Sequence, residues 1–357
     1  DAEELFNSRI SLLPIRGRLG QMEELLQEAA SCEQELMGFK SHAASEFVRV
    51  LLLAANRADG LHWRSDVASV LLETALRVLP ENEVSLGCQV RIALAECQFR
   101  KDYRSQARRV RDEAIKKAGS LDADARAEML YLAAESCMRI HDVDQARSLA
   151  EKVLEERIAQ AGRKDLWAGR ALLVMAEADL KTYRLEGTET AIGMSAPSLQ
   201  GTRYWSDALA LKLQALFFLN RFQEADQILD GMSPERALDL RLKLSIWKGD
   251  AQEYLRQMME EPDSLLAQRW TNLESLGLDH AVTILEFLSK TGQVALLTEG
   301  YARIADRADS VVQSDLRFAR LKIVEARLSF WMSKWEETAF NLQRIIELIP
   351  EGAISFP

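Results

Sequence analysis

The chain has 357 residues, 48% of them hydrophobic and 28% charged, with only 17 Gly and 7 Pro; that composition suits a helix-rich protein with ample core and excludes a disordered or collagen-like chain. The formal net charge of −10 and a pI of about 5.2 argue against nucleic acid as a partner, because phosphate contacts need a basic face. No apolar run reaches the roughly 18 residues of a membrane span, the longest being VLLLAA at 50–55.

In chain order the pattern is a repeated sentence: helical run, short polar turn, second helical run, break. Residues 18–38 carry Leu19, Met22, Leu25, Leu26 and Ala29, an amphipathic helix. Residues 43–58 and 65–79 pair across Asp59-Gly60-Leu61-His62-Trp63. Next come the stripe Val90, Ala93, Leu94, Cys97, the turn Lys101-Asp102-Tyr103, and the stripe Ala107, Val110, Ala114. Over 124–160, Leu130, Ala133, Ala134 and Cys137 fall at i, i+3, i+4 and i+7. The turn His141-Asp142-Val143-Asp144 follows, then Ala146, Leu149, Ala150 and Val153, with Asp144 as the expected N-cap.

Residues 165–182 pair with about 186–194, and SAPSLQG at 195–201 breaks the chain. Leu209, Leu213 and Leu216 lead through Asn220-Arg221-Phe222 to Ala225 and Leu229. Residues 234–248 pair with 250–260 across Lys248-Gly249-Asp250, 264–276 pair with 279–290, and 293–308 connect to the last pair. In that pair Ala326, Phe330 and Trp331 precede Ser333-Lys334-Trp335, followed by Ala339, Leu342 and Ile346. No segment shows the sustained alternation of a strand.

An apolar or aromatic residue just after a polar turn, then Ala three or four positions on, resembles the tetratricopeptide repeat. Phe222 to Ala225 and Val143 to Ala146 have its spacing; Tyr103 to Ala107 and Trp335 to Ala339 are one longer. The small residue lets two helices approach, and the large one is expected to fill the wedge between units. The family's unit is about 34 residues, whereas Ala107 to Ala146 spans 39. The resemblance implies an all-α, right-handed α-solenoid of about nine antiparallel helix pairs, continuous over 1–357. Residues 1–84 and 261–357 are its divergent ends, and 85–260 its clearest repeats.

Motifs that carry chemistry are lacking in the sequence. The four histidines (His42, His62, His141, His280) form no HExxH, and no phosphate loop or nucleophile elbow occurs. The glycines are expected at helix ends. Cys32, Cys88, Cys97 and Cys137 lack metal spacing and read as small buried hydrophobes. Paired acids such as Glu155-Glu156 point apart on a helix and read as solvated surface. The expectation is therefore a non-enzymatic chain without cofactor or metal.

In this family the first helix of each pair lines a concave binding face. The resemblance implies that Arg91, Gln98, Glu128, Tyr131, Glu135, Asp207 and Gln214 stand there. It does not reproduce the basic clamp of chaperone-binding members, and the acids present would favour a basic or neutral peptide. Separately, Arg104, Arg108 and Arg111 lie at i, i+4 and i+7, a candidate basic patch for an acidic partner segment against a solvated outer face. Trp331 and Trp335 read as inter-helix packing, with a partner-binding aromatic patch as the alternative. Two function classes follow: a protein-interaction scaffold, with homo-oligomers allowed, and the sensor region of a larger signalling or transcription-regulator protein. The start at Asp1 and the linker-like IPEGAISFP fit either an exported, periplasmic chain after signal-peptide removal or a cytoplasmic region cut from a longer one.

Overall fold

In a computed structural model the described residues are 2–36, 41–162, 164–311 and 318–348; Asp1, the closing segment with Pro350, and the Trp247 side chain lie outside them. Helices account for almost all of these residues, and no strand occurs among them. The all-α solenoid expected from the sequence is the fold observed. The described residues divide into two compact units, one running to Ala178, the other covering Asp179–Val311 and Phe318 onward.

The N-terminal unit holds α1 (Ala2–Leu19), α2 (Met22–Leu36), α3 (Ser41–His62), α4 (Ser65–Val78), α5 (Val84–Arg100), α6 (Arg104–Ala118), α7 (Ala123–Arg139), α8 (Val143–Ala161) and most of α9 (Leu166–Lys181). Successive helices pair as hairpins, and α1, α3, α5 and α7 also pack on one another as a layer of first helices. The stripes read from sequence are its core: Leu130, Ala133, Ala134, Cys137, Ala146, Leu149, Ala150 and Val153 are all buried. The sequence reading missed α1, whose Phe6, Ile10 and Leu13 are buried, because Pro14 interrupts its pattern.

The C-terminal unit holds α10 (Leu185–Leu199), α11 (Trp205–Phe218), α12 (Phe222–Asp230), α13 (Pro234–Lys248), α14 (Ala251–Glu260), α15 (Leu265–Thr271), a 3₁₀ turn (Leu273–Ser275), α16 (Leu278–Lys290), α17 (Val294–Asp309), α18 (Phe318–Trp331) and α19 (Trp335–Leu348). Here α11, α13, α16 and α18 are the first helices, each packed on the next. The expected pairing of 264–276 with 279–290 is replaced: α15 is a single short helix and α16 pairs with α17. SAPSLQG does not break the chain, because α10 carries Pro197 and continues to Leu199.

One backbone device builds every pair. The residue closing each first helix has positive φ: Gly20, Trp63, Asp102, His141, Tyr183, Asn220, Gly249, Gly292 and Ser333. The next N–H donates back five residues in eight of these nine turns, as in Tyr103 N to Gln98 O (2.8 Å) and Lys334 N to Ser329 O (2.8 Å). That is the Schellman closure, which satisfies carbonyls orphaned at a helix end. Only three of the nine residues are Gly, so six turns hold an L side chain in the left-handed region. The expected glycine positions need correction too. Gly87 and Gly300 lie inside α5 and α17, and a Cβ on Gly300 would sit 2.8 Å from Leu285 and the Trp270 ring.

Other local expectations also change. Asp144 lies in the first turn of α8, whose cap position is Asp142. Trp63 is fully buried at its turn, but Tyr103 and Trp335 are 53% and 60% exposed, so those two do not wedge between units. In α19 the stripe Ala339, Leu342, Ile346 faces solvent, while Asn341 and Ile345 face inward.

Candidate functional site

Polar side chains gather where the first helices of the N-terminal unit lie side by side. Arg100 on α5 reaches Asp59 on α3 and Glu96 one turn earlier on α5. Glu96, 7% exposed, also accepts from Arg139 on α7 at 2.9 Å. Arg139 reaches Glu135 at 3.4 Å, and Glu135 accepts from the Tyr131 hydroxyl. Tyr131 packs against Trp167 of α9 with ring centres 5.9 Å apart. The Arg170 guanidinium stands 3.8 Å from the Tyr131 ring centre and 4.4 Å from that of Trp167, a cation–π position over both. A row of alternating charge thus crosses α3, α5, α7 and α9.

The row is graded in depth. Asp59, Arg100 and Glu96 are nearly dry, with side-chain exposures of 13%, 11% and 9%. Arg139 is 53% exposed and Glu135 30%. Burial, then the neighbouring Glu135 carboxylate, push the Tyr131 phenol well above its ordinary range, so the phenol stays a hydrogen-bond donor. The dry end is structural, because removing one partner would strand a buried charge. The wet end is exchangeable, because exposed ion pairs contribute only about 0–1 kcal/mol.

Tyr131 and Glu135 lie in this row; the other residues implied by the resemblance do not join it. Arg91 pairs with Glu113 of α6 at 3.3 Å. Gln98 is 3% exposed, its Oε1 buried without a hydrogen-bond partner. Glu128 is half-buried on α7; Asp207 is exposed and Gln214 half-buried on α11 in the other unit. Glu96, Arg100, Arg139 and Arg170 were missed. Counting four on from Glu96 to Arg100 would have found the α5 face, whereas Gln98 is about 200° round the helix from Glu96. The basic patch on α6 is also smaller than expected. Arg104 pairs with Asp102 (3.0 Å) and Arg108 is exposed, but Arg111 is 4% exposed and turns inward to Asp142 (3.0 Å) and the Cys137 sulfur (3.1 Å).

The C-terminal unit repeats the arrangement on α13, α16 and α18. Asp239 receives Arg269 (2.7 Å) and His280 (2.8 Å). Arg320 grips Glu286 with two nitrogens (2.9 and 3.0 Å) and reaches Asp279 (2.9 Å). The Asp239 carboxylate raises the His280 imidazole above its ordinary pKa.

No arrangement for covalent or metal chemistry stands out. All four cysteines are buried and free, as expected. Burial pushes the Cys32 thiol up to about 11 and the Cys137 thiol up to about 12, which holds both protonated. Among the described residues no group of three His, Cys, Asp or Glu is placed to hold a metal ion, and no helix is long and apolar enough to cross a membrane.

No protein-family model matches the chain, and no curated protein does. Among solved structures it is similar to a Rap protein crystallised in complex with competence and sporulation factor. That match has 13% identity and a TM-score of 0.50, and covers 97% of this chain and 98% of the other. A circular tandem repeat protein with novel repeat topology and enhanced subunit contact surfaces aligns with the same identity and coverage, at a TM-score of 0.27, too low to guide interpretation. At such identity the likeness concerns the fold alone: the chain has the architecture of a tetratricopeptide-like helical repeat.

Proposed function

We propose that the chain is a non-enzymatic protein-interaction scaffold, and that a peptide or protein segment lies along the α3–α5–α7–α9 face of the N-terminal unit. The observation that carries this reading is the depth gradient of the row. Asp59, Arg100 and Glu96 fix the frame, and beside them Arg139 is exposed while Glu135 and Arg170 are half-buried. A ligand carboxylate can take Arg139 and a ligand cation can take Glu135, each replacing an internal pair of similar, small worth. Trp167, half-buried, offers a partly open wall for an apolar or aromatic side chain, whereas Tyr131 is buried. The acids are matched by arginines, so the fitting ligand is neutral or of mixed charge, which narrows the basic-or-neutral expectation.

The second reading, a sensor region of a larger signalling or transcription-regulator protein, draws support from the Rap protein, which shares the fold and was crystallised with competence and sporulation factor. In both readings the same face receives the ligand. Selecting binders from a peptide-display library with the full chain tests this. Enriched peptides should lose up to about fivefold in affinity for Arg139→Ala, since an exposed ion pair is worth up to about 1 kcal/mol. Peptides that bind Arg139→Ala and wild type equally would remove the assignment.

A further inference from the structure

The paired band of the C-terminal unit gives way, further along the same helices, to cations without counter-charge. Lys243 lies four residues after Asp239 on α13, Lys290 four after Glu286 on α16, and Arg327 seven after Arg320 on α18. These steps keep a residue on the same face of its helix. Lys243 and Lys290 are exposed and Arg327 half-buried. Among the described residues none of the three has a carboxylate within ion-pair distance, and Glu286, the acid nearest in register, is held by Arg320. Partial desolvation and the nearby Arg327 lower the Lys290 ammonium pKa; Glu286 opposes the shift and Lys243 adds to it.

The site has a built floor. Arg327 donates to the Ser289 hydroxyl at 3.2 Å, and the Trp331 indole N–H donates to the Ser289 carbonyl at 3.4 Å, so both side chains are anchored at the end of α16. A Cβ placed on Gly292 would stand 3.7 Å from the Trp331 ring, so the ring lies beside this turn, and it is still 49% exposed. Phe330 stands edge-on to it at 5.7 Å.

We propose that Lys243, Lys290 and Arg327, together with the open face of Trp331, form a docking site for an acidic, extended peptide segment of a partner protein. Packed helices lie about 8–10 Å apart, and an extended chain presents one face every second residue, about 7 Å. Carboxylates at alternate positions can therefore meet the cations of successive helices, while a neighbouring apolar side chain covers the indole. Three cations suit such a segment; nucleic acid would need a longer basic track than this acidic chain offers. The site shares no residue with the row of the N-terminal unit, and every residue of that row is intact in the variants below.

The test uses the full chain and three fluorescein-labelled probes that differ only in charge: a peptide alternating Glu and Ser around one Leu, and its Gln and Lys counterparts. Fluorescence anisotropy should show the Glu peptide binding at least about tenfold tighter than the Gln peptide, the Lys peptide weakest, and the preference falling as salt rises. In Lys243→Gln/Lys290→Gln/Arg327→Gln the preference should vanish with the circular-dichroism melting curve unchanged. Lys290→Arg, which keeps the charge, should retain it. Arg108→Gln/Arg109→Gln, which removes exposed cations from α6, should leave it intact. Equal binding of Glu and Gln peptides to wild type, or a preference that survives the triple variant, would overturn the site. Inorganic phosphate that binds as tightly as the Glu peptide would overturn the assignment to a peptide.

Discussion

The two units use the same turn and each has its own layer of first helices, yet the polar faces of those helices differ. In the N-terminal unit the row Asp59–Arg100–Glu96–Arg139–Glu135 alternates in sign and sinks at one end into the core. In the C-terminal unit the balanced group around Asp239, Glu286 and Arg320 is followed by Lys243, Lys290 and Arg327, where charge is left open. Helix pairing therefore fixes which first-helix residues lie side by side, and the residues placed one or two turns along decide the electrostatics.

The largest expected effect falls on the buried end of the N-terminal row. Arg100→Ala should cost about 3 kcal/mol, because it removes the cation that joins the buried carboxylates Asp59 and Glu96, leaving Glu96 with Arg139 alone. Arg320→Ala, whose side chain is 32% exposed, should cost about 1 kcal/mol. Urea unfolding of the two variants measures that difference, and equal losses would erase the contrast in depth. Gly300→Ala should cost about 1–3 kcal/mol, because the new methyl meets Leu285 and the Trp270 ring across a 2.8 Å gap; a thermal melt reads it directly. Ser333→Gly should instead stabilise by about 0.5–1 kcal/mol by relieving an exposed left-handed Ser at a Schellman turn. An unchanged melting temperature would show that the turn carries no strain.

The smallest effect is pH-dependent. The folded-state pKa of His280 is raised by Asp239, so the stabilisation is fully present below the ordinary histidine pKa and is lost as pH rises through the folded value. A proton NMR titration should place the His280 midpoint above that of an unpaired histidine, and Asp239→Asn should return it.

Much of the fold was legible because core stripes and turns are local patterns. Leu130 and Cys137 in α7, and Ala146 and Val153 in α8, repeat at helical spacing, and Asn220 or Gly249 marks a turn by chemistry that tolerates positive φ. Trp63 and Ser333 stand in turns that the polar breaks reveal, but their positive φ, like that of Tyr183, has no such residue signature. The site was less legible because its partners are far apart in sequence: Arg100 meets Asp59 and Arg139 meets Glu96 only after the first helices stack. Composition alone could not separate Arg108, open on α6, from Arg111, buried against Asp142. The exposed stripe of α19 was misread for a similar reason: Leu342 and Ile346 keep core spacing, but nothing in the sequence says which face meets α18.

The most direct test places a photo-crosslinking amino acid in turn at Glu135, at Arg139 and, on α6, at Arg109, each in the full chain with a ligand selected by display. Crosslinks at 135 and 139 with none at 109 are the predicted result. Crosslinks confined to 109 would contradict the assignment of ligand binding to the face built by the first helices.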